Sequence, residues 1–288
     1  YIINSTLKGE HAFLENNVLR LNWSAVLSKA YSETPDNTEI YMQGTHLQNT
    51  NSAIRRWEHN SDKDKAGYVD LMYKWNLGGS VLDFSVGGMY RDKKRDSFFN
   101  EYTFDSATGS KDPQYQGTDW NNYDELLFAA RKYGNISDPL NYDATEKIGA
   151  GYGMVKYTYG RWELIGGVRV EHTNQGYTLK FPTESADPKG NQKYTDVLPS
   201  FHAKYGVHEN ANLRLSYARS INRPSFFEIV PYSIINEDYK EKGNPDLKHT
   251  VADNVDFRYE FFPKSSEQFM IGAFYKYLKD PIEYGLLN

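Results

Sequence analysis

The chain has 288 residues, a formal net charge of -5, no Cys and an aromatic content of 15% that includes 24 Tyr. Without Cys there are no disulfide staples and no thiolate metal sites, the acidic balance argues against nucleic acid as a partner, and no window holds the ~18 consecutive apolar residues of a membrane-spanning helix. The mean hydropathy of -0.74 suits a soluble protein, and it equally suits a membrane β-barrel, which hides its apolar surface in alternation.

Tyr1 reads as mid-strand, so further sequence is expected upstream. In residues 17–33, Leu19, Leu21, Trp23, Ala25 and Leu27 fall on one side of an extended chain, with Arg20, Asn22, Ser24 and Ser28 on the other. This is a strand with a dry face and a wet face. The alternation recurs at Leu82, Phe84, Val86 and Tyr90, at Trp162, Leu164, Val168 and Val170, at Val197, Phe201, Ala203 and Tyr205, at Leu213, Leu215 and Tyr217, at Val251 to Phe261, and at Phe269 to Tyr277. About ten such strands are predicted, each at least as long as the ~9–11 residues that a tilted strand needs to cross a bilayer.

Short turns are predicted at 15–17, 76–80, 159–161, 208–211 and 263–267, alternating with long connections near 31–60, 102–140, 181–193 and 225–249. Within the second of these, "DELLFAARKYG" (124–134) spaces Leu126, Leu127, Ala130 and Tyr133 as one short loop helix. The four long connections sum to a charge of about -7, making theirs the acidic end. An antiparallel meander with one trimmed and one elaborated end describes an outer-membrane barrel with long extracellular loops, and Tyr31, Trp75, Tyr90, Tyr159, Trp162 and Tyr277 sit where aromatic girdles are expected. The rival is a soluble, secreted β-sandwich binding module or adhesin, whose strands average about 5–6 residues and which buries its own dry faces.

Residues 197–260 carry more specific words: Leu198-Pro199-Ser200, Ala218-Arg219-Ser220 followed by Arg223-Pro224-Ser225, and Gly243-Asn244-Pro245-Asp246-Leu247, with "GGVRVEHT" at 166–173. In these the chain resembles the barrel of TonB-dependent outer-membrane receptors, particularly the subgroup with a carboxypeptidase-regulatory-like N-terminal domain. The resemblance implies a barrel of about 22 strands, filled by an N-terminal plug, that imports a scarce ligand (a siderophore, vitamin, glycan or peptide) with energy delivered by the TonB complex through the plug. Residues 1–288 are then part of a single barrel domain, with the plug and the C-terminal strands outside this chain. The implied partners are outer-membrane lipid, the protein's own plug and TonB, and a surface lipoprotein is left open. Apart from the resemblance, Pro224 marks where a strand leaves the sheet, and Gly243 to Pro245 is turn chemistry before a strand that starts near Thr250.

No catalytic constellation is found, so no enzyme, cofactor or metal site is expected. The seven His share no ligand spacing, and "GAGYGM" (149–154) lacks the third glycine of a phosphate loop; its small residues are expected to leave room for something packed in the lumen. Tyr115, Trp120, Tyr123, Phe226, Phe227, Tyr232 and Tyr239 in the long loops are expected to make first contact with ligand, because aromatic rings offer stacking surface. Arg169, Glu171, Lys204, Arg214, Asp256 and Arg258 are expected on the wet face, toward the lumen and plug.

Overall fold

The computed structural model describes residues 1–14, 18–43, 46–47, 53–107, 128–130, 140–182, 187–235, 240–264 and 266–286. In chain order the elements are β1 (Ile2–Phe13), β2 (Leu19–Ile40), β3 (Met42–Gln43), β4 (His46–Leu47), β5 (Ala53–Leu77), β6 (Ser80–Ser106), β7 (Phe128–Ala130), β8 (Tyr142–Tyr159), β9 (Trp162–Leu179), β10 (Lys189–His208), β11 (Ala211–Asn222), α1 (Phe226–Ile229), β12 (Ser233–Ile235), β13 (Lys240–Lys242), β14 (Thr250–Lys264) and β15 (Glu267–Lys279). One sheet runs β1-β2-β5-β6-β8-β9-β10-β11-β14-β15, with β7 attached to β6. Every pairing in it is antiparallel. Among the described residues β1 and β15 each keep one edge unpaired.

The registers place the dry faces of successive strands together. Phe13, Leu19, Tyr73, Phe84, Val155, Gly166, Phe201, Tyr217, Val255 and Tyr275 stand opposite one another in a single row across ten strands. No charged side chain interrupts it. This face is exposed, with Leu27 at 59% and Tyr275 at 65% of full accessibility, so among the described residues no second sheet covers it, which is the opposite of a sandwich. A continuous exposed apolar face is satisfied by lipid. The row starts beside the short turn on β1 and reaches β15 at Tyr275, eight residues beyond the strand's start at Glu267. The apolar band therefore climbs relative to the hydrogen-bond rows, which is the stagger of tilted barrel strands. Trp75, Tyr157, Tyr159, Trp162, Tyr205 and Tyr259 face outward at the short-turn edge of the band, and Tyr90 marks the opposite edge on β6.

The short turns predicted at 76–80, 159–161 and 208–211 are present, residues 15–17 and 265 of the other two lie outside the described residues, and three predictions need correction. The connection expected at 31–60 is largely strand: β2 and β5 stay paired up to Ile40 opposite Ala53. Cross-strand ion pairs hold this extension beyond the band, Arg56 to Glu39 at 2.8 Å and Arg95 to Asp62 at 2.6 Å, so charge that reads as loop is paired strand. The helix expected at 124–134 is not formed at Phe128–Ala130, which pairs with Phe104 to Ser106 as β7; an open strand edge overrides local helix propensity, and the rest of that segment lies outside the described residues. The described helix is α1 instead. Finally, Gly149, Gly151 and Gly153 share a face with Tyr90, Gly88 and Val86 and so point outward, not into the lumen.

Candidate functional site

The face opposite the apolar band is polar, and all six residues expected there occupy it. They form two separate groups. Near the short-turn end, Lys204, Arg214 and Arg258 stand directly opposite one another on β10, β11 and β14. Like charges in register repel; here Glu260 compensates, accepting from Arg214 Nε at 2.8 Å and lying 3.9 Å from Arg258, while Glu163 faces Lys204 and holds Lys156 at 3.0 Å. Glu163, Lys204, Arg214 and Arg258, with His202, Ser216 and Asp256, line a shallow hollow in the inner wall. It is a charged surface suited to hydrogen-bonding a protein packed inside.

The second group lies toward the long-loop end. Arg169 Nε donates to Glu171 at 2.7 Å. Arg223, just past the end of β11, reaches back across the wall to the same carboxylate and to Thr173 Oγ1 at 3.0 Å. Gln175 Nε2 donates to the Pro224 carbonyl at 2.7 Å. The chain then enters α1, capped by Ser225 and Glu228 in a reciprocal capping box. Further on, Gln192 Nε2 donates to the carbonyls of Pro245 and Leu247 at 2.9 and 2.8 Å. His249 bonds Asp196 at 2.8 Å and stacks on Tyr194 with ring centroids 3.9 Å apart. Polar side chains of β9 and β10 thus hold both ends of 223–249 against the inner wall.

Apolar packing completes this latch. Phe226, Ile229, Val230 and Tyr232 form a buried cluster with Phe99, Leu140, Tyr142, Ala144, Tyr177 and Leu179 of the wall, and Lys93 and Arg95 lie over the Phe226 ring at 5.3 and 5.6 Å. Burial, reinforced by its hydrogen bond to Glu241, pushes the Tyr232 hydroxyl far above the ordinary tyrosine range. Gly243 N–H donates to the Tyr232 carbonyl and Asn244 N–H to that of Glu228, at 3.2 and 2.8 Å, so the two arms of the latch are tied together. Pro199 has a role in this layout. Pairing of β10 with β11 begins only at Ser200, so the residue without an N–H sits where that ladder ends.

Of the aromatics expected at first ligand contact, Phe226 and Tyr232 are buried in the latch and Phe227 is partly buried against it. Tyr115, Trp120, Tyr123 and Tyr239 lie outside the described residues. Sequence patterning does not single out Thr173, Gln175, Gln192, Tyr194, Asp196, Arg223 or His249 as a group. For Thr173, Gln175, Gln192, Tyr194 and Asp196 the one visible signal is a wet-face position on β9 or β10, which every lumen residue shares, and for Arg223 it is its place in the Arg223-Pro224-Ser225 word.

A family model described as "Outer membrane protein beta-barrel family" matches residues 15–287. No curated protein matches the chain. Among solved structures, the siderophore receptor PiuA from Acinetobacter baumannii matches with a TM-score of 0.62 at 16% identity, over 94% of this chain and 39% of that one. The ferric-catecholate import receptor Fiu from K12 E. coli, in its closed form, matches with a TM-score of 0.62 at 15% identity, over 98% and 41%. The ferric citrate transporter FecA in the unliganded form gives 0.61 at 11% identity, over 96% and 34%. The chain thus spans only between 34% and 41% of the length of these relatives, and at such identities the likeness is one of fold.

Proposed function

The chain belongs to the outer membrane protein beta-barrel family, a receptor-type barrel of the bacterial outer membrane and not an enzyme, and from that premise we propose that it is part of the wall of a TonB-dependent importer. In this reading residues 1–288 belong to one barrel domain of a larger protein, further strands pair with the open edges of β1 and β15, and a plug fills the lumen and couples it to TonB. The words shared with the subgroup bearing a carboxypeptidase-regulatory-like domain support membership of that subgroup. The imported ligand is a scarce molecule of the siderophore, vitamin, glycan or peptide kind.

The observation that carries the proposal is the latch. An importer must close its mouth to passive flow and still present a recognition surface, and a loop pinned to the inner wall by Glu171, Gln175, Gln192 and Asp196 narrows the lumen from the long-loop end. The basic hollow of Lys204, Arg214 and Arg258 faces inward where the plug would pack. The reading is tested by uptake of ferric siderophores, cobalamin and labelled oligosaccharides into cells expressing the full-length protein, with and without TonB. Accumulation of one ligand that stops when TonB is removed supports the importer. Accumulation unaffected by TonB would make the barrel a passive pore.

A further inference from the structure

We propose that the outward face of β2, β5, β6 and β8, just beyond the apolar band, is a binding platform for phosphate-bearing lipid headgroups of the outer leaflet. It rests on the outer-membrane placement and not on the import reading. On β2 the apolar run ends at Leu27 and the next outward residue is Lys29; on β5 it ends at Gly67, followed by Lys65 and Lys63. On β6 it ends at Tyr90, followed by Asp92 and Lys94, and on β8 the glycine run ends at Gly149, followed by Lys147. The registers bring these together. Lys29, Lys63 and Lys94 stand directly opposite one another on three adjacent strands, and one step closer to the band Lys65, Asp92 and Lys147 do the same.

Three ammonium groups in one cross-strand row repel, and the fold sets no carboxylate against them. Among the described residues none of Lys29, Lys63, Lys65, Lys94 and Lys147 forms an ion pair, although Asp92 stands between Lys65 and Lys147. The inward cations of the same β6 segment are treated otherwise: Arg91 is paired with Asp64, and Lys93 and Arg95 are both paired with Asp62. In this segment unpaired cations are thus confined to the lipid-facing side. They are also confined to one edge, since the outward row at the short-turn edge (Leu77, Ser80, Tyr159, Trp162, Tyr205, Leu213, Tyr259, Ile271) has no charge. The long connections at the same end are acidic on balance, so the lysines are not the spill of a generally basic surface.

Lysine is a point-charge partner for phosphate, and clusters of lysine flanking a membrane-embedded surface attract anionic headgroups. The level of the cluster selects the source. Phosphates of a lipid whose chains lie against the apolar band arrive at this height, and the open outward surface at Gly67 and Gly149 leaves room for those chains directly beneath the ammonium groups.

The test uses the full-length protein in detergent with three probes: lipid A carrying its phosphates, the same lipid with the phosphates removed, and inorganic phosphate. Binding is followed by native mass spectrometry and titration. The phosphorylated lipid is expected to bind about tenfold or more tightly than the stripped lipid, with the preference shrinking as salt is raised. The Lys63→Gln, Lys65→Gln, Lys94→Gln, Lys147→Gln quadruple variant is expected to lose it while keeping the heat-dependent gel shift of a folded barrel. Equal binding of both lipids, a preference retained by the folded quadruple variant, or displacement of the lipid by millimolar inorganic phosphate would each overturn the proposal. Should the quadruple variant fail to fold, the wild-type comparison and the single Lys94→Gln and Lys147→Gln variants decide it. Loss of the gel shift in the wild type would fault the barrel itself, a result separate from any lipid preference.

Discussion

At Gly243 a Cβ would stand 1.8 Å from the carbonyl oxygen of Val230 and 2.7 Å from the Tyr232 ring, while at Gly149 it would meet nothing within 4 Å. Alanine at 243 must therefore push the two arms of the latch apart, and alanine at 149 need not move anything. Gly243→Ala is expected to speed protease cleavage within 223–249 of the folded, detergent-solubilised protein several-fold, with Gly149→Ala unchanged; equal cleavage of the two would show that the arms do not depend on this close approach. A second residue-scale prediction concerns Arg223 and Glu171, whose side chains are 20% and 11% exposed. Glu171 also holds Arg169, so Arg223→Ala leaves the carboxylate one partner and Glu171→Gln leaves two cations short of theirs. Charged hydrogen bonds of this kind are worth ~1.5–3 kcal/mol. A double-mutant cycle read by hydrogen exchange in α1 is expected to give a coupling of about 1–2 kcal/mol, and additive effects would mean that Arg223 does not anchor the latch.

The strands were legible because a side-chain period of two, sustained over nine or more residues, is the mark of an extended chain with two unlike faces. The dry faces named from sequence at Leu19 to Leu27, Phe84 to Tyr90 and Phe269 to Tyr277 share one side of the sheet. Strand length beyond the band was not legible. Residues 31–60 mix Thr, Asn, Glu and Arg, which reads as loop until Thr38 is seen opposite Arg55 and Glu39 beside Arg56. The segment at 124–134 failed for a related reason, since its helical spacing is local and the β6 edge that captures Phe128 to Ala130 is not. Because the face assignment is what decides behaviour in lipid, it makes a prediction at this scale. Val86→Arg puts a cation in the middle of the outward band at a cost of ~2–4 kcal/mol, whereas His202→Arg adds one to the polar inner wall. Assembly into outer membrane, followed by the folded gel species, is expected to fall for Val86→Arg and to be near wild type for His202→Arg. The reverse order would mean that the two faces are interchanged.

At the scale of the whole molecule, the site was less legible than the fold because its contacts join residues about 50 apart, such as Gln175 to Pro224 and Gln192 to Pro245. Words such as "INRPS" and "GNPDL" pointed to a family and to turns; that their carbonyls are the acceptors for wall glutamines depends on a register no single segment contains. Among the described residues the same register leaves the ten-strand path with two free edges, and this bears on whether residues 1–288 close on themselves. Both faces of β15 are exposed along its length, and the backbone groups of its outer edge, unpaired among the described residues, would each be costly in lipid. Residues 1–288 refolded alone in detergent are therefore expected to self-associate through β1 and β15 and to give mixed oligomers on sizing, while the full-length protein gives a monodisperse, heat-modifiable monomer. A monodisperse, heat-modifiable monomer from residues 1–288 alone would instead mean that β1 pairs with β15 and that ten strands suffice to close the wall.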